Sequence, residues 1–113
     1  MDKIRIAIAT TEDKGMEDKL SKVYGKAKTF TIIDVENGEL KNVRIIDNPG
    51  ANYNQGSGPI ASKTLAEIKT DVVIAAQLGP GAEELLRRHN IKTVLVDVNC
   101  TVAEALEEAL SKL

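Results

Sequence analysis

Apolar positions in this chain change period halfway along, and that change predicts the element order. Ile4 to Thr10 is almost wholly apolar after Arg5, the pattern of a strand buried on both faces at the middle of a sheet. Thr29 to Val35 and Leu40 to Ile46 are two further β-rich runs, joined by Glu36-Asn37-Gly38-Glu39. Asn-Gly is the strongest short hairpin signal, so these two strands pair antiparallel. From residue 60 the period becomes helical. Ile60, Ala61, Thr64, Leu65 and Ile68 share one helix face, and Pro59 suits its first turn. Asp71 to Ala76 is a short apolar strand. Gln77 to Gly81 is a tight connection, and Pro80 opens a second helix buried through Ala82, Leu85 and Leu86. Arg87, Arg88 and His89 occupy its last turn, favourable against the helix dipole, and Asn90 stops it. Ile91 to Val98 is the last strand. Thr101 and Glu104 have the spacing of a capping box for a terminal helix buried through Val102, Ala105, Leu106, Ala109, Leu110 and Leu113.

The second half therefore reads strand, helix, strand, helix, which implies parallel strands with right-handed crossovers. The first half is an antiparallel meander. A mixed five-stranded α/β sheet with helices on both faces satisfies both halves. Met16 to Ala27 fits neither period and is expected as a short helical turn or irregular segment.

Between the two halves lies Asn48 to Pro59, the longest stretch without an apolar pattern. It holds three of the eight glycines and two of the three prolines. Loops of this length in a small domain are mostly functional or disordered. Two readings stay open: a cover over a site for an anionic guest, and a mobile surface connection. In an open α/β sheet, the loops after parallel strands gather along one edge. Here these are Thr10 to Gly15, Gln77 to Gly81 and Asn99 to Thr101, joined by residues 48–59 if the third strand runs the same way. Helices starting near Pro59, Pro80 and Thr101 would point unpaired amides there, each end carrying about half a positive charge. The candidate ligand-binding residues are accordingly Gly56, Ser57, Gly58, Gln77, Gly79, Cys100 and Thr101, with Lys26 as a nearby cation. Gly56-Ser57-Gly58 is neither a Walker loop nor a dinucleotide fingerprint.

Composition narrows the chemistry. The chain has 113 residues, enough for a single domain over 1–113. Apolar residues make up 42% and aromatics only 3%, so the core is built from Val, Ile, Leu and Ala. A net charge of −2 and few stacking rings do not favour nucleic acid. The N-terminus carries charges at once and no apolar run approaches the length of a membrane span, so a cytoplasmic protein is expected, with no membrane partner. Cys100 is the lone cysteine. A helix N-terminus can lower a thiol pKa, which would make Cys100 a soft metal ligand, although most lone cysteines are buried hydrophobes. His89, the only histidine, reads as a helix-end cation far from the loop edge. One Cys and one His cannot close a zinc site, and nothing near His89 recommends a catalytic triad. Asp34, Asp47, Asp71 and Asp97 read as strand-end punctuation. Lys14, Lys19, Lys22, Lys26 and Lys28 form either a solvated face or an anion-attracting one.

Ser21-Lys22-Val23-Tyr24-Gly25-Lys26-Ala27, followed by a strand, resembles the Ser-x-His-Phe-Gly-Arg-Ala segment of the dinitrogenase iron–molybdenum cofactor biosynthesis family. Asn48-Pro49 before a glycine-rich loop, Asp71-Val72-Val73-Ile74 before Gly79-Pro80, and Val102-Ala103-Glu104-Ala105-Leu106 agree in order and spacing. That family includes nitrogenase accessory factors, the C-terminal part of the cofactor-assembly radical enzyme, and a protein carrying a molybdenum–copper sulfide cluster. The resemblance implies a ribonuclease H-like three-layer α/β/α fold, sheet order 3-2-1-4-5 with strand 2 antiparallel. It also implies non-catalytic binding or carriage of an anionic molybdenum– or iron–sulfur cluster, or its oxyanion precursor, with a cluster-assembly protein as partner. The family's histidine falls on Val23 here, Tyr24 replaces Phe and Lys26 replaces Arg. A cluster would then be held by amides and lysines, with Cys100 as the one soft ligand. The competing reading is an interaction or regulatory module that keeps the fold without the cluster. A nuclease of the same fold would need an acid in the first strand, and Ile4 to Thr10 has none.

Overall fold

In the computed structural model, which describes residues 3–113, Ile6, Ala7, Ile8 and Ala9 have no exposed surface. They form the middle of β1 (Lys3–Thr10), the central strand of a five-stranded sheet. β1 pairs antiparallel with β2 (Thr29–Glu36) from Lys3↔Glu36 to Thr10↔Thr29, and parallel with β4 (Val72–Ala75) through Ile6, Ala7 and Ile8. β2 pairs antiparallel with β3 (Glu39–Asp47), and β4 pairs parallel with β5 (Lys92–Leu95). The order is β3-β2-β1-β4-β5, as the resemblance implies, with β2 the antiparallel strand. The predicted hairpin turns through Asn37 and Gly38, whose φ values of 54° and 81° are the left-handed pair of a tight turn.

Alternation along the strands divides the core. Ile6 and Ile8 of β1, with Ile33, Val35 and Ile74, pack against α3 (Val102–Lys112). Ala7 and Ala9, with Ile32, Val73 and Ala75, face α1 (Ser57–Glu67) and α2 (Pro80–Arg88). Two helices therefore share one face, where three small alanines line the sheet, and one helix covers the other. This is the three-layer, ribonuclease H-like arrangement. Among the described residues no helix is long and apolar enough to cross a membrane.

Three differences from the sequence expectation bear on the site. α1 starts at Ser57, two residues ahead of Pro59, because Gly56 takes a left-handed φ of 76° and turns the chain into the helix. The first part of the 48–59 stretch is not free loop: Pro49–Asn52 is a 3-10 turn started by the Asn48 side chain, which accepts from the Gly50 amide at 2.9 Å. β5 ends at Leu95, with one further sheet bond from the Val96 amide to the Ala75 carbonyl, rather than running to Val98. The irregular 16–27 segment resolves into 3-10 turns at Gly15–Glu17 and Tyr24–Lys26.

At the end of β1 opposite the loop edge, the Arg5 Nε donates to Asp34 at 2.8 Å and its Nη1 to the Ile68 carbonyl at 2.6 Å. The guanidinium holds the Asp34 carboxyl below its ordinary value, its hydrogen bond being the largest cause. A carboxyl depressed in the folded state adds stability above the unfolded pKa of about 4 and loses it as pH falls through the folded value. Asp34→Asn should therefore flatten the stability profile on the acid side of pH ~4 while leaving the neutral-pH slope unchanged. Urea melts across pH 2–7 check this, and an unaltered acid slope would show that the pair contributes nothing.

Candidate functional site

Two helices begin side by side at the loop edge, and neither has a side-chain cap. The N-cap of α1 is Gly56 and that of α2 is Gly79. The first-turn amides of Ser57, Gly58, Gly81 and Ala82 donate to no acceptor among the described residues. Missing Cβ atoms let the two starts approach. A Cβ on Gly58 would lie 3.1 Å from the Ala82 Cβ, and one on Gly81 would lie 3.6 Å from the Pro59 ring. Two positive helix ends thus face the same space.

The turn at Tyr24–Lys26 closes the third side. A Cβ on Gly25 would meet the Gly58 nitrogen at 2.6 Å, and one on Gly50 would meet the Ser57 carbonyl at 2.5 Å. Only glycine fits at either place. Asn48 fixes both segments: its buried Nδ2 donates to the Gly25 and Ala27 carbonyls at 3.0 and 2.8 Å, and its Oδ1 takes the Gly50 amide. Tyr24 anchors the turn from beneath. Its hydroxyl meets Ser62 at 3.1 Å, its ring tilts against Phe30 at 5.4 Å, and its amide donates to the Gln77 carbonyl at 3.4 Å. Burial pushes the Tyr24 phenol well above its ordinary pKa, with the Ser62 hydrogen bond opposing, so it stays neutral as an anchor.

The enclosed pocket measures about 350 Å³. Gly56, Ser57 and Gly58 form one wall, Gln77, Gly79 and Gly81 another, and Val23 to Gly25 the third. Its lining offers amides, the Ser57 hydroxyl and one carboxamide, the Tyr24 hydroxyl being taken by Ser62, and no carboxylate, thiol, imidazole or thioether. Such a lining suits an anion held by hydrogen bonds. It offers no soft donor for a bond to a metal. A second cavity of about 380 Å³ lies at the Arg5–Asp34 end, where Arg5, Asp34 and Asp71 are already hydrogen-bonded to one another and to backbone.

Of the candidate residues, Gly56, Ser57, Gly58, Gln77 and Gly79 come together in this pocket. Lys26, Cys100 and Thr101 lie outside its lining. Lys26 turns its ammonium to the Tyr53 carbonyl. Thr101 and Glu104 form the predicted capping box, with the Thr101 amide on Glu104 at 3.0 Å and the Glu104 amide on Thr101 Oγ1 at 3.2 Å. The start of α3 is therefore neutralised by its own carboxylate. The expected lowering of the Cys100 thiol is reversed as well. Burial raises it, and Glu104, Glu108 and Asp97 raise it further. Cys100 packs against the core layer under α3, whereas Tyr24 and Ala82 of the pocket belong to the layer under α1 and α2. The 10–15 loop is likewise spoken for. Buried Asp18 accepts from the Thr11 hydroxyl at 2.9 Å and from the Glu12, Lys14 and Lys19 amides at 3.0, 3.4 and 2.8 Å. His89 ends α2, away from the lining. No group of three or more metal-ligating side chains occurs among the described residues. Sequence reasoning missed Asn48 and Gly25 as site-builders. The adjoining prolines and lysines gave no pattern that marks a glycine packed on another backbone.

Gly25→Ala should cost about 1–3 kcal/mol by overpacking and displace the start of α1. Thermal melts would read the first effect and amide shifts at Ser57 and Gly58 the second; an unchanged spectrum there would refute the close contact. Cys100 should be alkylated by iodoacetamide with a pH midpoint above the ordinary thiol value of about 8.5. A midpoint below 8 would show that the helix end prevails over the carboxylates.

Comparison with known proteins agrees with the fold. The family model described as dinitrogenase iron-molybdenum cofactor matches residues 2–112. The uncharacterized protein MJ0580 of Methanocaldococcus jannaschii is 31% identical over 74 residues, 66% of this chain, and the match spans 63% of that relative's length. The apo form of the orange protein from Desulfovibrio gigas superposes with a TM-score of 0.83 at 25% identity, covering 96% of this chain and 88% of that one. A Thermotoga protein assigned to NifB superposes with a TM-score of 0.76 at 29% identity, covering 99% and 89%. With a family model matched almost from end to end and the same fold in these relatives, the chain belongs to the dinitrogenase iron–molybdenum cofactor family.

Proposed function

We propose that this chain binds and carries an anionic metal–sulfur cluster, or the oxyanion from which one is built, without transforming it. The observation that supports this is the convergence of two uncapped helix starts on one pocket free of carboxylates. Other amide-rich points on the same edge are closed, by Asp18 and by Glu104. The cargo is held through its anionic sulfide or oxide rim by the amides of Ser57, Gly58, Gly81 and Ala82, with Ser57 Oγ and Gln77 to orient it. Bonds from protein to metal play no part, because the lining has no ligand for one. Lys26, Cys100 and Thr101 then act around the site rather than in it. Cargo would pass to or from a cluster-assembly protein.

A second reading has one observation in its favour. Val23, where the family's histidine falls, lines the pocket and is 48% exposed, so the pocket mouth is apolar. This suits an interaction module that has lost its cargo.

An anaerobic titration of labelled protein with molybdate, tetrathiomolybdate and iron–sulfur species separates the two. Carriage predicts saturable amide shifts at 56–58 and 77–82, retained in full by Cys100→Ser and lost in Gly58→Ala. Absence of saturable shifts with all three probes would leave the interaction module standing. Weaker binding by Cys100→Ser would return the thiol to the site.

A further inference from the structure

Residues 19–28 carry four lysines and no carboxylate, in a chain whose net charge is −2. Lys19, Lys22, Lys26 and Lys28 are all exposed, and none is ion-paired among the described residues. Within this group Val23 is 48% exposed and Tyr53 51%. Lys26 links the two: its amide donates to the Val23 carbonyl at 3.2 Å and its ammonium to the Tyr53 carbonyl. Val23 also lines the amide pocket, and Lys22 lines the adjoining hollow that shares Gln77. Val23, Tyr53, Lys22 and Lys26 therefore adjoin one another at the pocket mouth, with Asp97 the one carboxylate of the adjoining hollow.

We infer that this face docks an acidic protein partner, whose carboxylates meet the lysines and whose apolar side chain covers Val23 and Tyr53 over the pocket mouth. Complementary charge steers such an encounter, and the desolvated apolar centre supplies lasting affinity. Nucleic acid is the poorer match. A phosphate backbone gains nothing from covering Val23, one exposed tyrosine is no stacking platform, and the rest of the chain is acidic. The partner sits where cargo enters and leaves, so the inference rests on the carrier reading for its purpose, though not for its chemistry.

The test titrates labelled protein at about 0.15 M salt, where weak surface steering is largely screened. Three probes of about a dozen units are compared: a glutamate peptide carrying one leucine and one phenylalanine, a glutamate-only peptide, and oligothymidylate. The mixed peptide should shift amides at 22–26 and 53–54 and bind about tenfold more tightly than the glutamate-only one, as burial of one or two side chains supplies. Val23→Ser should remove that advantage. Lys22→Glu should weaken the peptide at least about fivefold, while molybdate still shifts Gly58 and Ala82. Equal melting temperatures would show that these exposed variants remain folded. The inference is overturned by peptide shifts that are absent or map elsewhere, by full affinity in Val23→Ser, or by tighter binding of oligothymidylate. Absence of saturable shifts in the wild type with molybdate, tetrathiomolybdate and iron–sulfur species alike, with peptide binding intact, would sink the carrier reading and leave the docking face in place.

Discussion

The site depends on backbone meeting backbone. Gly25 lies against the Gly58 nitrogen and Gly50 against the Ser57 carbonyl, each closer than any side chain permits. These two contacts bring the 24–26 turn and the Pro49–Asn52 turn onto the start of α1, and Gly58 in turn rests on Ala82 of α2. Asn48 holds the assembly with three hydrogen bonds from one buried side chain. Adding one methyl at the wrong glycine would separate the helix starts whose proximity makes the pocket cationic. The interior beneath is arranged to the same end. Ala7, Ala9 and Ala75 are small, so α1 and α2 share the sheet face rather than being forced apart.

What the site can do follows from which amides are already used. An open α/β sheet presents many donors along one edge, and most proteins satisfy them internally. This chain satisfies two groups with its own carboxylates, Asp18 under the 11–19 loop and Glu104 at the start of α3. The two helix starts at Gly56 and Gly79 have no such partner. An edge with internal anions at two positions and none at the third is selective for where a foreign anion goes. That distribution, more than the glycine content, supports the proposed cargo binding between α1 and α2, a reading that leaves the thiol at Cys100 outside the site.

The fold was largely legible because its signals are local. The double-sided apolar run of Ile6 to Ala9, the Asn37-Gly38 hairpin and the Thr101–Glu104 box each specify an element without reference to the rest of the chain. Element ends were less legible. Gly56 moves the α1 start through its positive φ, a property that sequence permits but does not demand. The pocket was half legible. Residues 56–58, 77 and 79 follow from the general rule for sheet edges, whereas Asn48 and Gly25 act through contacts between segments 21 to 33 positions apart. Cys100 shows the opposite failure. Its position before a helix cap suggested a lowered pKa, but burial raises the thiol, and the capping box that identifies the helix supplies a carboxylate that opposes its positive end.

Val23 links the pocket to the surface around it. A side chain able to ligate a metal at that position would fasten cargo from the pocket wall; valine can only shield it. In the proposed carrier, retention then falls to hydrogen bonds from amides, which hold an anion in a dry site far better than in a wet one. A half-exposed valine beside a half-exposed tyrosine leaves the mouth open to water until something apolar covers it. On the proposed docking, the lysines would draw an acidic surface to that place, and the covering would raise the strength of the amide bonds beneath. Cargo affinity and partner docking would in this way be coupled through exclusion of water, with no conformational change required of the sheet.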